Sequence, residues 1–99
     1  MKKFPKIKSV EPLEGKRLLV TFQNNIEKIY DCNPLLEEEI FTPLMDDSLF
    51  RSVKVDQGGY GIIWTDEIDL SESEIWINGL LSDETLHQTG LKKRKEAIL

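Results

Sequence analysis

The stretch Arg17-Leu18-Leu19-Val20-Thr21-Phe22-Gln23-Asn24-Asn25-Ile26-Glu27-Lys28-Ile29-Tyr30-Asp31 decides how this chain folds. Its first six residues include β-branched and aromatic side chains and place Leu18, Val20 and Phe22 on one face of a strand. Gln23-Asn24-Asn25 tolerates the positive φ angles of a tight hairpin, because short amide side chains bond nearby backbone in that conformation. Ile26 to Asp31 then resumes an extended pattern, so two adjacent antiparallel strands follow. Asn33-Pro34 stops the sheet, since proline removes a ladder donor and restricts the residue before it.

Upstream of this hairpin, Ile7, Val10 and Leu13 are spaced by polar residues, and Pro5 and Pro12 exclude a helix interior, which predicts an edge strand from Lys6 to Leu13. Glu14-Gly15-Lys16 supplies the turn. Downstream, Leu36, Ile40, Leu44, Leu49 and Phe50 recur at helix-like intervals, but Pro43 forbids one continuous helix. Two short helical turns are expected, near Leu35 to Phe41 and Asp46 to Phe50, the second capped by Asp46 or Asp47. Ser52 to Asp56 alternates, Gln57-Gly58-Gly59 turns, and Tyr60 to Trp64 returns as a partner strand. Ser71 with Glu74 three positions later reads as a capping box before Ile75-Trp76-Ile77, and Asn78-Gly79 ends that helix after two turns.

These readings give an α+β fold: a small antiparallel sheet of about five strands, made of two hairpins and an N-terminal edge strand, with two or three short helices. Ninety-nine residues hold one hydrophobic core. Residues 1–80 are expected to form that single domain and residues 81–99 a C-terminal helical or flexible basic tail, with a weak helix near Asp83 to Thr89.

Charge is segregated along the chain. Residues 1–30 carry 7 basic and 3 acidic side chains, residues 31–84 carry 2 and 14, and residues 85–99 carry 4 and 1. The acidic centre repels phosphate backbones, which disfavours nucleic acid except through the two basic ends. No window approaches the length of a membrane span, and the positive start, Met1 to Lys6, lacks the apolar run of an export signal. With one cysteine, Cys32, unable to form an internal disulfide, a reducing cytoplasm is the expected compartment.

No motif carries chemistry. The carboxylates Asp66, Glu67, Asp69 and Glu72 lack the spacing and glycine of a calcium loop, because Ile68 and Leu70 occupy ligand positions. Gln57-Gly58-Gly59-Tyr60-Gly61 has neither a phosphate-loop lysine nor dinucleotide spacing, and reads as a hairpin turn. His87, the sole histidine, sits among Thr85, Gln88 and Thr89 with nothing to position it for acid–base work. No catalytic residue, cofactor or metal site is expected. Trp64 reads first as core and second as an interaction anchor; for Trp76 the two readings are balanced, because a two-turn helix cannot bury Ile75, Trp76 and Ile77 together. The candidate partner-binding residues are therefore Trp64, Trp76 and Ile77, together with the basic run Lys92, Lys93, Arg94 and Lys95.

The order of Pro5-Lys6-Ile7-Lys8-Ser9-Val10, Leu18 to Phe22, Tyr30-Asp31 to Pro34-Leu35-Leu36, Phe41-Thr42-Pro43-Leu44, Ser48-Leu49-Phe50, Val53 to Asp56, and Trp64 before Ile68-Asp69-Leu70 resembles the bacterial family called domain of unknown function 2442, over about Pro5 to Leu80. The chain departs from the family pattern at Ile40, at Asp66-Glu67 and at Ile75-Trp76. The resemblance implies a small mixed α/β fold and a bacterial cytoplasmic origin, without an established activity. Such domains stand alone or are fused to a helix-turn-helix, and often neighbour another small protein in an arrangement similar to toxin–antitoxin pairs. The residues after Leu80 are too few for a complete helix-turn-helix.

The leading expectation is thus a non-catalytic protein-binding module, an antitoxin-like partner of a small bacterial protein. Two alternatives of other classes are a nucleic-acid-associated regulator using the basic termini, and a small ligand-binding protein or enzyme with a pocket near Trp64 and Tyr60. An edge strand and leftover apolar helix surface also favour a homodimer.

Overall fold

The structure, a computed structural model, describes residues 3–82. The expected helix at Asp83 to Thr89, His87 and the basic run Lys92 to Lys95 lie outside the described residues.

The strands form where alternation was strongest. β1 (Ile7–Leu13), β2 (Arg17–Phe22) and β3 (Glu27–Asp31) pair antiparallel in that order. The β2–β3 turn uses Asn25 at φ 69°, and Asn24 Oδ1 accepts the Ile26 N–H at 3.1 Å, the local side-chain bond that suits asparagine to tight turns. Leu18, Val20, Phe22 and Tyr30 point inward and are buried.

After Asp31 the chain cannot extend the ladder. Asn33–Glu37 and Glu39–Met45 form 3-10 turns, with Pro34 in the first turn of one and Pro43 inside the other. A 3-10 segment tolerates such residues because each of its bonds spans only three positions, so a proline's missing donor removes at most one of them. α1 (Asp47–Phe50) follows, capped by Asp46, whose side chain accepts the Ser48 N–H at 3.2 Å. Leu44 and Phe50 anchor this irregular segment in the core.

The remaining strands make a second sheet, β4 (Lys54–Val55), β5 (Gly61–Thr65) and β6 (Ile68–Ser71), in that order. The glycine-rich segment is a turn, with Gly58 and Gly59 at φ 97° and 80°. It also joins the two sheets, since the Gly59 carbonyl accepts the Ile7 N–H at 2.8 Å. The chain is a small α+β fold as the sequence indicates, but its strands divide into sheets of four and three, with β6 and β7 (Leu80–Leu81) added to the expected set. β7 pairs with β3 and carries the larger sheet one residue past Leu80.

One core fills the space between the sheets, α2 (Glu72–Asn78) and the 3-10 segment. Trp64 belongs to it: the ring is buried, stacks on Phe50 at 6.2 Å between centroids, and its Nε1 donates to the Phe50 carbonyl at 3.0 Å. Cys32 is fully buried, and burial pushes its thiol from 9.0 up to about 12. A thiol whose pKa is higher in the folded state supports folding below pH 9, and that support is lost as pH rises from there toward 12. Between pH 8 and pH 11 the wild-type chain is therefore expected to lose about 2–3 kcal/mol through this group alone. Urea unfolding at both pH values should show a smaller loss in Cys32→Ala; an identical loss would remove Cys32 as its source.

Candidate protein-binding surface

Seven residues make α2, and tertiary contacts hold it. Ser71 Oγ accepts the Glu74 N–H at 3.1 Å, satisfying one orphan donor of the first turn. Among the described contacts, only this half of the expected capping box forms. Glu74 Oε2 instead accepts the Tyr30 hydroxyl at 2.7 Å and the Asn78 Nδ2 at 3.0 Å, tying the helix to β3. Burial of the Tyr30 phenol, with the Glu74 carboxylate beside it, raises its pKa far above the usual range and keeps it a donor. Removing the hydroxyl leaves Glu74 without its strongest partner, so Tyr30→Phe is expected to cost about 1.5–3 kcal/mol, read as a lower thermal midpoint. A change under about 0.5 kcal/mol would show the bond to be dispensable.

Ile75 is buried under the helix. Trp76 is half-buried: its ring meets Phe22 edge-on at 5.1 Å, while Lys28 Nζ lies 4.1 Å above it and donates to the Trp76 carbonyl. Its faces are thus engaged within the domain. Ile77 is left outside, 64% exposed. Gly79 then lets the chain pass close to the helix, where a Cβ would come 2.7 Å from the Ile75 carbonyl oxygen and 3.1 Å from Lys28 Cβ. Beyond it Leu80, 56% exposed, and Leu81 follow in β7 on the edge of the larger sheet. The result is an apolar corner of Ile77 and Leu80, while Leu81, on the other face of β7, lines a cleft with Asn25, Ile26, Glu27 and Ser82.

A second apolar surface adjoins it. Residues directly opposite in an antiparallel ladder share a face. Glu11 faces Leu19, Leu19 faces Ile29 and Ile29 faces Leu80, so one row crosses all four strands on the side away from Leu18, Val20 and Tyr30. Arg17 opposite Asp31, and Thr21 opposite Glu27, flank this row on the same outer face. Sequence reasoning missed Leu19 and Ile29 because attention fell on the inward positions. The unbroken run Leu18-Leu19-Val20 was the available signal, since a strand with one solvated face alternates.

Of the sequence-derived candidates, Ile77 stands on the exposed corner, Trp76 beneath it and Trp64 in the core. Tyr60 lines a shallow cleft with Lys3, Phe4, Lys6 and Glu72, and Lys6 Nζ sits 4.8 Å over its ring. Trp64 does not line that cleft, because its strand position carries it inward to Phe50. The carboxylates Asp66 and Glu67 occupy the exposed β5–β6 turn, Asp69 faces outward from β6, and Glu72 lies in the first turn of α2. Among the described residues no helix is long and apolar enough to cross a membrane.

Compared with known proteins, residues 7–78 match a family model described as "Protein of unknown function (DUF2442)". No curated protein matches the chain, and no solved structure matches it.

Proposed function

The chain belongs to that family of proteins of unknown function, and we propose that it is a non-catalytic protein-binding module, an antitoxin-like partner of a small bacterial protein in the cytoplasm. The observation that supports this reading is the exposed apolar corner of Ile77 and Leu80, where α2 hands over to β7. Large apolar side chains grouped on a surface mark interaction sites, whereas single exposed ones need no explanation. The partner would bury Ile77 against the end of the helix, with Lys92, Lys93, Arg94 and Lys95 placed later in the chain to attract acidic groups on it.

The placement of the reactive side chains favours binding over chemistry. Cys32 is buried with its thiol pushed up to about 12, far from the thiolate needed for attack at neutral pH. Tyr30 is buried and its hydroxyl is committed to Glu74.

Affinity capture from bacterial cells with tagged wild-type chain and with Ile77→Asp is the test. A specific protein retained by the wild type and lost at least tenfold from a folded Ile77→Asp variant is the expected result. Equal capture by both would remove the corner as the binding surface.

A further inference from the structure

We propose that the outer face of the four-stranded sheet is a homodimer interface, in which two copies pack face to face about a twofold axis running parallel to the strands between β2 and β3. The partner reading is separate, since it uses the corner at Ile77 and shares only Leu80, at the edge of this face.

The register dictates what such an axis would bring together. A rotation about that line lays β2 over the partner copy's β3 and β1 over its β7, while each cross-strand row stays level with itself. In the apolar row Leu19 meets Ile29 of the other copy, twice by symmetry. In the neighbouring row Arg17 meets Asp31 of the other copy, also twice, and in the third row the Thr21 hydroxyl meets the Glu27 carboxylate. Glu11 and Leu80 meet only at the solvated edges.

The charges are available for this. Arg17 and Asp31 are opposite one another within a copy, yet no ion pair joins them. Arg17 Nε donates to the Glu14 carbonyl at 3.1 Å, and its remaining donors have no carboxylate among the described residues. Asp31 Oδ1 accepts from the backbone and side chain of Asn33 at 3.0 and 2.8 Å, which leaves Oδ2 open. Arg17 and Asp31, of opposite sign on one face, supply the pairing an isologous contact requires, while Glu11 and Glu27 add net negative charge that keeps the contact weak.

The size suits only a weak dimer. Three strands about 4.8 Å apart and about five residues deep at ~3.4 Å each, edged by the two residues of β7, give a face of roughly 14 to 19 by 17 Å, and two such faces bury on the order of 600 Å², the size of a weak, transient contact. A twofold along the strands keeps the two sheets aligned, within the range in which sheets pack, and contact concentrates on the central strands carrying Leu19, Ile29, Arg17 and Asp31.

Sedimentation of the full chain from about 5 to 500 µM should show a weak monomer–dimer equilibrium with a Kd on the order of 100 µM. Arg17→Asp and Asp31→Arg, each kept folded by circular dichroism, should each weaken self-association at least tenfold. An equimolar mixture of the two variants should form a heterodimer, because only then do both charge pairs match. Leu19→Thr, which keeps strand propensity and leaves Asp31 in its turn, should weaken the dimer without unfolding the chain if the Asp31 variant misfolds. A wild-type monomer at 500 µM overturns the proposal, as does a dimer unaffected by Leu19→Thr and by Arg17→Asp.

Discussion

Gly59→Ala is expected to destabilise the chain by about 2–5 kcal/mol, one of the largest single-residue effects in the molecule. Gly59 sits at φ 80°, where an L side chain costs roughly 1–2 kcal/mol. Its Cβ would approach the Ile7 carbonyl oxygen to 2.7 Å, and Lys6 Cβ to 3.2 Å. That oxygen cannot retreat freely, because the Ile7 N–H donates to the Gly59 carbonyl at 2.8 Å, and Ile7 is itself a buried core residue. Relief would break the bond and part the sheets, at a further ~1–3 kcal/mol for the buried groups left unpaired. Gly58 is the control. It has φ 97° as well, but a Cβ there meets only the Tyr60 ring, at 3.0 Å, on an exposed side chain. Gly58→Ala should therefore cost about 1–2 kcal/mol, the backbone strain alone. Urea unfolding that ranks Gly58→Ala equal to Gly59→Ala would mean that the turn does not hold the sheets together.

The second large effect is at Phe50. Phe50→Ala is expected to cost about 3–5 kcal/mol, the range for emptying a fully buried phenylalanine site. More is lost than volume. The ring stacks on Trp64 and Lys16 Nζ lies 5.1 Å over it, whereas the backbone carbonyl of residue 50, which receives the Trp64 indole N–H, is kept in the variant. Trp64→Phe, which keeps a ring but orphans that carbonyl, should cost about 1–3 kcal/mol. Because the two residues share one contact, the double variant should fall short of the sum by 0.5 kcal/mol or more, at about the scale seen for touching pairs. Calorimetry of the four chains closes this cycle. Strict additivity would mean that the α1 segment and the smaller sheet are energetically separate.

These effects bear on function by separating the frame from the surfaces. Gly59, Phe50 and Trp64 hold the sheets and the 3-10 segment in place, while Ile77, Leu80, Leu19 and Ile29 lie outward. A substitution of the first kind should abolish binding by unfolding. One at the exposed Ile77 or Leu80 should change binding at nearly constant stability, since substitutions on an exposed surface move stability by about half a kcal/mol or less.

Much of this arrangement was legible in the amino acids. The two hairpins, the N-terminal strand and the caps at Asp46 and Ser71 all follow from short-range chemistry: alternation, positive φ at Asn25 and at the paired glycines, and side-chain acceptors for the first N–H groups of a helix; the single turn expected over Leu35 to Phe41 is instead two 3-10 turns parted at Glu38, with Pro43 inside the second. The strand β6 was harder to see. Its Ile68-Asp69-Leu70-Ser71 alternation is only four residues long and runs straight into the helix that Ser71 caps. Two-residue β7 has no period at all and exists by pairing with β3.

The candidate surface shows the same division. That Ile75, Trp76 and Ile77 could not all be buried follows from the length of the helix, and the sequence alone determined that one large apolar residue would be left outside. Tertiary structure decided that it is Ile77, because Trp76 is claimed by Phe22 and Lys28 and Ile75 by the core. It also decided that Trp64 lies inward, that the strands part into two sheets, and that Leu19, Ile29 and Leu80 align in one row. Local sequence sets what each residue tolerates within a few positions of itself. Partnership between residues fifty positions apart depends on register and packing, which no window of the chain contains.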